Sequence, residues 1–315
     1  MKLDHAATVG RAGAGLTLVL GLGLGCATAF AQTDFSGNWQ PLFHEDQPER
    51  LPGPELGDYS GIPLNDAGRL RGDSYDGDRI SVVTEYQCRP HGGDYSMRGL
   101  ANMRVEQVLD PLTQRVIAIH LRMNFQEQER TIWLDGRDHP PALAAHTFAG
   151  FSTGAWQGNM LDVETTHLKP NYLRRNGLPR SGEATFTEHW VRHGEYLTIT
   201  TLIRDAAFLT EPLVRSQTWL LAPAQRLGRD VCVYVSEVPG APDYVPNHLP
   251  GTNPFLREVI DWYGLPEDGV RGGTATLYPE FQKTMRLPAE VPLQCGRYCR
   301  CGEFGRGCDL FSPQR

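Results

Sequence analysis

The amino-acid sequence predicts an all-β protein, an antiparallel, lipocalin-like barrel or sandwich of about eight or nine strands. Between residues 80 and 238, short apolar runs alternate with turn residues, and no helical crossover pattern separates them. An irregular N-terminal arm precedes this region, and one helix and a Cys-rich tail follow it. A meander that closes on itself would also remove the edge strands through which open sheets aggregate.

The first 31 residues have the features of a cleaved signal peptide. A positively charged start is followed by an apolar run over residues 12–24 and by Ala-Phe-Ala at residues 29–31, a cleavage site of the A-x-A type. The apolar run is too short to cross a bilayer, so we predict no transmembrane segment and a periplasmic or secreted protein. A lipoprotein acylated at Cys26 is the alternative, although the residues before Cys26 fit a lipobox poorly.

The chain without its signal peptide is acidic. The full chain has a net charge of −7, and removal of Lys2, Asp4 and Arg11 leaves −8. A negatively charged chain without a basic run is a poor candidate for binding nucleic acid or an anionic membrane, so we predict neither as a partner. The sequence indicates no cofactor and does not determine the oligomeric state.

Six cysteines follow the signal peptide: Cys88, Cys232, Cys295, Cys299, Cys301 and Cys308. An even number in an exported chain favours disulfides, and six cysteines allow fifteen pairings. A bridge between Cys88 and Cys232 would tie an early strand to a late one. The four cysteines of the tail lack the C-x2-C pairs that are typical of zinc sites, and so small a segment needs cross-links to fold.

These features divide the chain into four parts. Residues 1–31 are the signal peptide, 32–79 the irregular N-terminal arm, 80–238 the β-barrel domain, and 239–315 the helix and Cys-rich extension.

Two segments outside the barrel domain have helical signals. Residues 64–70 can form a helical turn with Asn65 or Asp66 near its cap. After position 239, Asn253 can cap a helix that carries an apolar stripe and ends at Gly264.

The clearest strand covers residues 116–125. Ile117, Ile119 and Leu121 fall on one face, while His120 and Arg122 fall on the other, as the period of two in a strand requires. The other predicted strands are 34–39, 103–109, 130–134, 160–168, 184–192, 196–203, 216–221 and 231–237. The short connection His193-Gly194-Glu195 predicts that 184–192 and 196–203 form a hairpin.

The stretch 130–168 is the candidate functional region, because its two strands flank a loop dense in charge, glycine and proline. One interpretation is a hairpin turn closed by Asp135 and Gly136. The functional interpretation makes His139 a general base oriented by Asp135 or Asp138, with Arg130 or Arg137 holding an anionic substrate or a developing oxyanion. His167, on the apolar face of the following strand, is a second candidate base or a pocket-wall residue.

Three more residues of this stretch are candidate ligand contacts: Trp133, Ser152 and Trp156. Beyond the stretch, Tyr172 and the Arg174-Arg175 pair could also line the mouth of a ligand pocket. Ser152 also lies in Gly150-Phe-Ser152-Thr-Gly154, which matches the G-x-S-x-G nucleophile elbow of serine hydrolases. That elbow needs a strand before it and a helix after it, whereas here a strand follows, so the glycines are better explained by tight turns. No recognised spacing of metal ligands occurs, and we predict no metal site.

The same stretch resembles a large family of exported bacterial proteins. The matching patterns are R-x-I-x-x-D-G-R-x-H-P, beginning at Arg130, and S-x-G-x-W-x-G-x-x-L-x-V-x-T, beginning at Ser152, followed by Glu188, Arg192, Leu197 and Asp205. The resemblance runs from about residue 88 to residue 219 and implies export and a β-rich, lipocalin-like barrel. It implies no particular reaction, and the Cys-rich tail departs from the family's pattern.

Three functions fit these observations. The leading prediction is an exported protein that binds a small, largely apolar molecule in a barrel pocket, with the 135–152 loop at the mouth. The alternatives are a hydrolase, lyase or isomerase that uses His139 or His167 as its base, and an envelope assembly protein without a small ligand. A binder needs a cavity with few polar groups, an enzyme needs a carboxylate next to its histidine, and an assembly protein exposes an apolar patch.

Overall fold

The protein folds as a closed β-barrel of nine strands in the order β1-β11-β10-β9-β6-β5-β4-β3-β2. The structure, a computed structural model, describes residues 33–42, 55–77, 83–96, 101–124, 128–228, 231–236 and 247–286. Strand β1 pairs with both β2 and β11 and thereby closes the barrel. The prediction of an all-β barrel is confirmed. The predicted signal peptide, Cys26 and the four cysteines of the tail lie outside the described residues.

The strands agree with the period-two pattern of the sequence in most places. Their bounds are β1 Gly37–Pro41, β2 Met103–Leu109, β3 Val116–Met123, β4 Glu129–Trp133, β5 Phe151–Gln157, β6 Met160–Thr166, β7 Asn171–Tyr172, β8 Pro179–Arg180, β9 Thr185–His193, β10 Tyr196–Arg204 and β11 Leu213–Leu221. Strands β7 and β8 form a separate two-stranded sheet. The predicted hairpin of β9 and β10 is confirmed, with His193 paired to Tyr196.

Helices occupy the segments before and after the barrel strands. Their bounds are α1 Asp66–Asp73, α2 Gly93–Ser96, α3 Glu258–Tyr263, α4 Glu267–Arg271 and α5 Pro279–Thr284, with 3₁₀ turns at Thr84–Gln87 and Gly273–Leu277. Asn65 caps α1 by accepting a hydrogen bond from the Gly68 amide, as predicted. The predicted helix, α3, ends before Gly264 as expected, but it begins at Glu258, because the Asn253 side chain accepts from the Phe255 amide in a turn instead of starting a helix. The sequence predicted one helix after the barrel, whereas α4 and α5 follow α3; both are too short to show a repeated apolar stripe. No described helix has the length and apolarity needed to cross a membrane.

The sheet is mixed, because β4 and β5 run parallel, with Ile132 opposite Ser152. The other barrel pairs are antiparallel, as predicted. A parallel pair needs a connection that returns along the whole strand, so the 17 residues 134–150 form a crossover instead of the hairpin turn that the sequence suggested. Strand β5 was missed, and the strand predicted at 231–237 is wrong for residues 231–236, which are not in a strand.

Two apolar clusters form the core of the described structure. The first surrounds three fully buried tryptophans, Trp39, Trp190 and Trp219. The second joins the ends of β9 and β10, through Phe186 and Ile203, to the arm and to the segments beside β7 and β8. The N-terminal arm therefore packs over one end of the barrel, and its burial there adds to the stability of the fold.

A disulfide joins two irregular segments outside the barrel wall. The sulfur atoms of Cys88 and Cys232 are 2.04 Å apart, and the residues are separated by 144 positions in sequence. This is the bridge that the sequence suggested. A disulfide of this kind is typical of an oxidising compartment.

Candidate functional site

The structure distributes the predicted site residues over three separate places. Arg130 and Ser152 lie inside the barrel, where each is buried. The Arg130 guanidinium is 2.8 Å from the Glu188 carboxylate across the interior, and the two side chains are 2% and 0% exposed. The hydroxyl groups of Ser152 and Thr165 are hydrogen-bonded at 2.8 Å. These residues form a polar layer between the two apolar clusters.

The ion pair in this layer is close in distance but poorly aligned. No N–H group of Arg130 and no carboxylate oxygen of Glu188 makes a hydrogen bond within the described structure, despite the separation of 2.8 Å. The two groups still attract each other, because charge attraction does not need an aligned N–H group. A buried pair of this kind makes each partner strongly dependent on the other.

Trp133, Asp135 and Arg137 lie on the outer surface instead. The Arg137 Nε donates to the Asp135 carboxylate at 2.9 Å, and its guanidinium lies 3.4 Å from the centre of the Trp133 ring. This hydrogen bond lowers the pKa of Asp135 below its usual value and raises the pKa of Arg137. The three side chains thus satisfy one another at the start of the crossover. Trp156 is at the rim of the first apolar cluster, stacked on Phe35 with ring centres 5.5 Å apart.

His139 and His167 belong to one hydrogen-bonded chain on the outer wall of the barrel. His167 Nε2 faces the Pro141 carbonyl oxygen at 2.9 Å and must donate to it, because a carbonyl can only accept. In neutral His167, Nδ1 then accepts from the Thr166 hydroxyl at 2.7 Å. The Thr166 oxygen in turn accepts from His139 Nδ1 at 2.7 Å, and His139 Nε2 accepts from the Thr153 hydroxyl at 2.8 Å.

This chain attaches the crossover to β5 and β6 and leaves both rings without a carboxylate partner among the described residues. Neither histidine lines a described cavity. The predicted general base needs both a carboxylate partner and a cavity that admits substrate. Within the described residues, no group of three or more His, Cys, Asp or Glu side chains is placed to hold a metal ion.

The partly buried position of His139 in this hydrogen-bonded chain predicts that the free energy of unfolding depends on pH. Burial lowers the pKa of His139 below 6.5, although Glu164 opposes this effect. As the pH falls, His139 is therefore protonated in the unfolded protein before it is protonated in the folded protein. We expect the free energy of unfolding to fall as the pH decreases below about 6.5 and through the folded-state pKa of His139. Urea unfolding between about pH 7.5 and pH 5 would measure this, and the His139→Gln variant should show a smaller slope. Equal slopes for His139→Gln and wild type would contradict the assignment; His193→Gln, at an exposed turn, is the control.

A cleft of about 420 Å³ lies at the end of the barrel that the arm covers. Its walls come from α1, the segment 83–96, the end of the crossover, and β7 and β8. Three arginines line it: Arg71, Arg89 and Arg180. Aromatic and proline side chains provide the apolar part: Phe148, Pro170, Tyr172, Pro179 and Phe208. We call this feature the arginine cleft.

Arg180 is the buried cation of the arginine cleft, and hydrogen bonds hold its side chain. Its side chain is fully buried, its Nε donates to Asp94 at 3.0 Å, and its Nη1 donates to the Ser181 carbonyl oxygen at 3.1 Å. Its Nη2 is buried without a hydrogen-bond partner within the described structure. Asp205 fixes the neighbouring wall by accepting from the Ser181 amide and hydroxyl groups, both at 2.7 Å.

The electrostatic balance of the arginine cleft is positive. Asp94 neutralises Arg180, whereas Arg71 and Arg89 are exposed and form no ion pair with any described residue. No Asp or Glu occurs among the described residues that line the cleft. In an acidic chain, this grouping of unpaired cations favours a negatively charged ligand.

Sequence reasoning missed this cleft. Arg71, Arg89 and Arg180 are far apart in sequence and lie in or beside irregular segments, so no periodicity connects them. The useful signal was Tyr172, which the sequence offered as a residue at the mouth of a pocket, and which does line the cleft. The neighbouring Arg174 does not line it and instead donates to the Ser60 carbonyl oxygen.

The comparisons with known proteins found no matching family model and no similar curated protein. The resemblance of the 130–168 stretch to exported bacterial proteins therefore stays a prediction.

Proposed function

We propose that this protein is an exported binder of a small organic acid, which it holds in the arginine cleft. The observation that carries the proposal is the buried Arg180, whose Nη2 lacks an acceptor in a cleft that also contains the unpaired Arg71 and Arg89. A carboxylate on the ligand would supply that acceptor. Hydrogen bonds between a guanidinium and a carboxylate are among the stronger ones in proteins, and burial raises the penalty for leaving a donor unpaired.

The volume and lining of the cleft support a largely apolar, aromatic ligand body. A volume of about 420 Å³ falls within the range of small-molecule sites. The rings of Phe148, Tyr172 and Phe208 offer surfaces for stacking, and the two prolines add rigid apolar contacts. The proposed ligand is therefore an aromatic or otherwise planar carboxylate, which agrees with the sequence-based expectation of an apolar molecule that has a polar end group.

The packing of the barrel supports a site at its end instead of in its interior. The described strands fill the interior with the first apolar cluster and the polar layer. Beside Phe35 and Trp156 they leave a space of about 30 Å³, roughly enough for one water molecule. The Cys88–Cys232 disulfide supports an oxidising location, periplasmic or secreted.

Among the alternatives, the enzyme hypothesis lacks a histidine paired with a carboxylate in a described cavity. The assembly hypothesis depends on residues 231–236, where Val231, Val233 and Tyr234 are 84%, 76% and 70% exposed. The arginine cleft has the more specific chemistry, so ligand binding is the function we propose.

Calorimetric titration with 1-naphthoate and with the neutral 1-naphthamide tests this proposal. We expect naphthoate to bind at least about tenfold more tightly than the amide, because one charge-assisted hydrogen bond contributes about 1.5–3 kcal/mol. Its affinity should fall with added salt, because Arg71 and Arg89 are exposed. Equal affinities for the acid and the amide, or no binding of either, would overturn the proposal.

Substitution of the two exposed arginines gives an independent prediction. The Arg71→Gln/Arg89→Gln double variant should bind naphthoate about tenfold more weakly with an unchanged melting temperature, because neither side chain forms a described ion pair. The matched control is Arg226→Gln, an exposed arginine outside the lining of the cleft. If the control weakened binding as much as the double variant, the effect would be one of net charge and not of the site.

A further inference from the structure

The segment 83–96 supplies much of one side of the arginine cleft. Thr84 and Arg89 line the cleft directly, and Asp94 holds Arg180 in place from behind. The segment is not part of any β-sheet. Its position therefore depends on single hydrogen bonds, on side-chain contacts and on the covalent bond at Cys88.

The two halves of this segment are attached in different ways. The second half is fixed to the barrel region, because Gln128 donates to the His91 carbonyl oxygen at 2.8 Å and Asp94 pairs with Arg180. The first half, which carries Thr84 and Arg89, is bonded to residues 231–236. There the Val235 amide donates to the Tyr86 carbonyl oxygen at 3.0 Å, and Cys88 is joined to Cys232.

The backbone at Cys88 is held in an unfavourable conformation. Its φ angle is +51°, in the left-handed region that residues with a side chain seldom adopt. Such a conformation persists when the surrounding contacts enforce it. Arg89 follows immediately, so the direction in which its side chain leaves the backbone depends on the conformation at Cys88.

The disulfide is also accessible. Cys232 is exposed and Cys88 is half-buried, so a thiolate can reach the bond from solvent. Exposed disulfides of this kind are the ones that exchange readily with thiols.

We infer that the Cys88–Cys232 disulfide controls ligand affinity at the arginine cleft, with the oxidised protein as the tight-binding form; this inference rests on the proposed function. The reductant is a thiol compound or a dithiol oxidoreductase. Its thiolate attacks one sulfur and breaks the S–S bond, a second thiol resolves the mixed disulfide, and the reductant leaves as a disulfide. Each cysteine sulfur gains a proton. Reduction frees the first half of the segment from residues 231–236 and withdraws Arg89 from the ligand.

Naphthoate titration of the oxidised and the dithiothreitol-reduced protein tests the inference. We expect about tenfold weaker binding after reduction, with the same loss in the Cys88→Ser/Cys232→Ser variant, which keeps the four tail cysteines. Reductant should not change the affinity of that variant. Near-ultraviolet circular dichroism of the buried tryptophans checks that the barrel stays folded, and hydrogen exchange should rise in residues 84–89.

The Arg89→Gln variant separates this mechanism from a general loosening. If the disulfide acts by placing Arg89, the affinity of Arg89→Gln should be nearly insensitive to reduction. Binding that reduction leaves unchanged in the wild type would overturn the inference and leave the proposed function intact. Failure of the oxidised protein to bind naphthoate would overturn both. If the serine variant does not fold, the comparison of oxidised with reduced wild type still decides the question.

Discussion

The Glu188→Gln variant is expected to lose about 3–5 kcal/mol of unfolding free energy, because it leaves the Arg130 guanidinium buried without a compensating charge. Both side chains are almost fully buried, and the described residues offer Arg130 no aligned hydrogen-bond acceptor that could replace the carboxylate. Urea unfolding followed by the fluorescence of the buried tryptophans measures the change.

Two further variants test whether the loss comes from the unpaired charge. The Arg130→Met/Glu188→Leu variant should recover most of the stability, because apolar residues of similar volume often replace a buried ion pair without loss. The exposed pair Arg104–Glu106 is the control, and Arg104→Gln should change stability by less than about 1 kcal/mol. A Glu188→Gln loss no larger than that of the control would show that the polar layer is hydrated or rearranges.

The ion pair also gives a physical meaning to the resemblance in the sequence. Arg130 and Glu188 were both among the matching residues, and they meet in the barrel interior although they are 58 positions apart in the sequence. Asp205, another matching residue, accepts a hydrogen bond from the Ser181 amide at the wall of the arginine cleft. Arg192 lies 5.3 Å from the centre of the Trp39 ring. These four residues connect elements that are distant in sequence. The residues of the arginine cleft lie outside the matching pattern.

The sequence was most informative where one face of a strand is buried. Strands β2, β3, β6, β9 and β10 follow the alternation of apolar and polar residues, because the barrel interior demands it. Strand β5 was not predicted, because its inward positions are Ser152, Gly154 and Trp156, which lack a repeated apolar signal. The reverse error occurred at residues 231–236, where the alternating valines lie in no strand. Pattern alone does not supply a pairing partner.

The site was harder to predict than the fold for the same reason. The 135–152 loop contained the densest group of charges, but a parallel β4–β5 pair makes that loop a crossover along the outer wall. Asp135 pairs with Arg137 there, His139 is hydrogen-bonded to two threonine hydroxyl groups, and His146 to the Leu168 carbonyl oxygen. The arginine cleft is assembled from five segments that only the closed barrel brings together. Strand direction, which the local sequence does not encode, decided both outcomes.

The glycines of the G-x-S-x-G pattern have structural roles that a single substitution can test. Gly150 has a φ angle of +73°, and a Cβ atom there would lie 2.6 Å from the Thr166 carbonyl oxygen and 2.8 Å from the Thr165 side chain. Gly158, at the tip of the β5–β6 hairpin, has a similar φ of +67° but has open space around it. The two positions therefore share the backbone requirement and differ in the packing requirement.

The Gly150→Ala variant is accordingly expected to lose more stability than Gly158→Ala. The left-handed backbone alone costs about 1–2 kcal/mol for alanine, which should be the whole effect at Gly158. Overpacking adds about 1–3 kcal/mol at Gly150, where the opposing atom is backbone oxygen and cannot move aside easily. Parallel urea denaturation of the two variants measures the difference, and equal losses would mean that the crossover shifts to accept the methyl group. The larger loss at Gly150 would establish that this glycine permits the close contact of β5 with β6. The G-x-S-x-G pattern would then be explained by packing, without a nucleophilic role for Ser152.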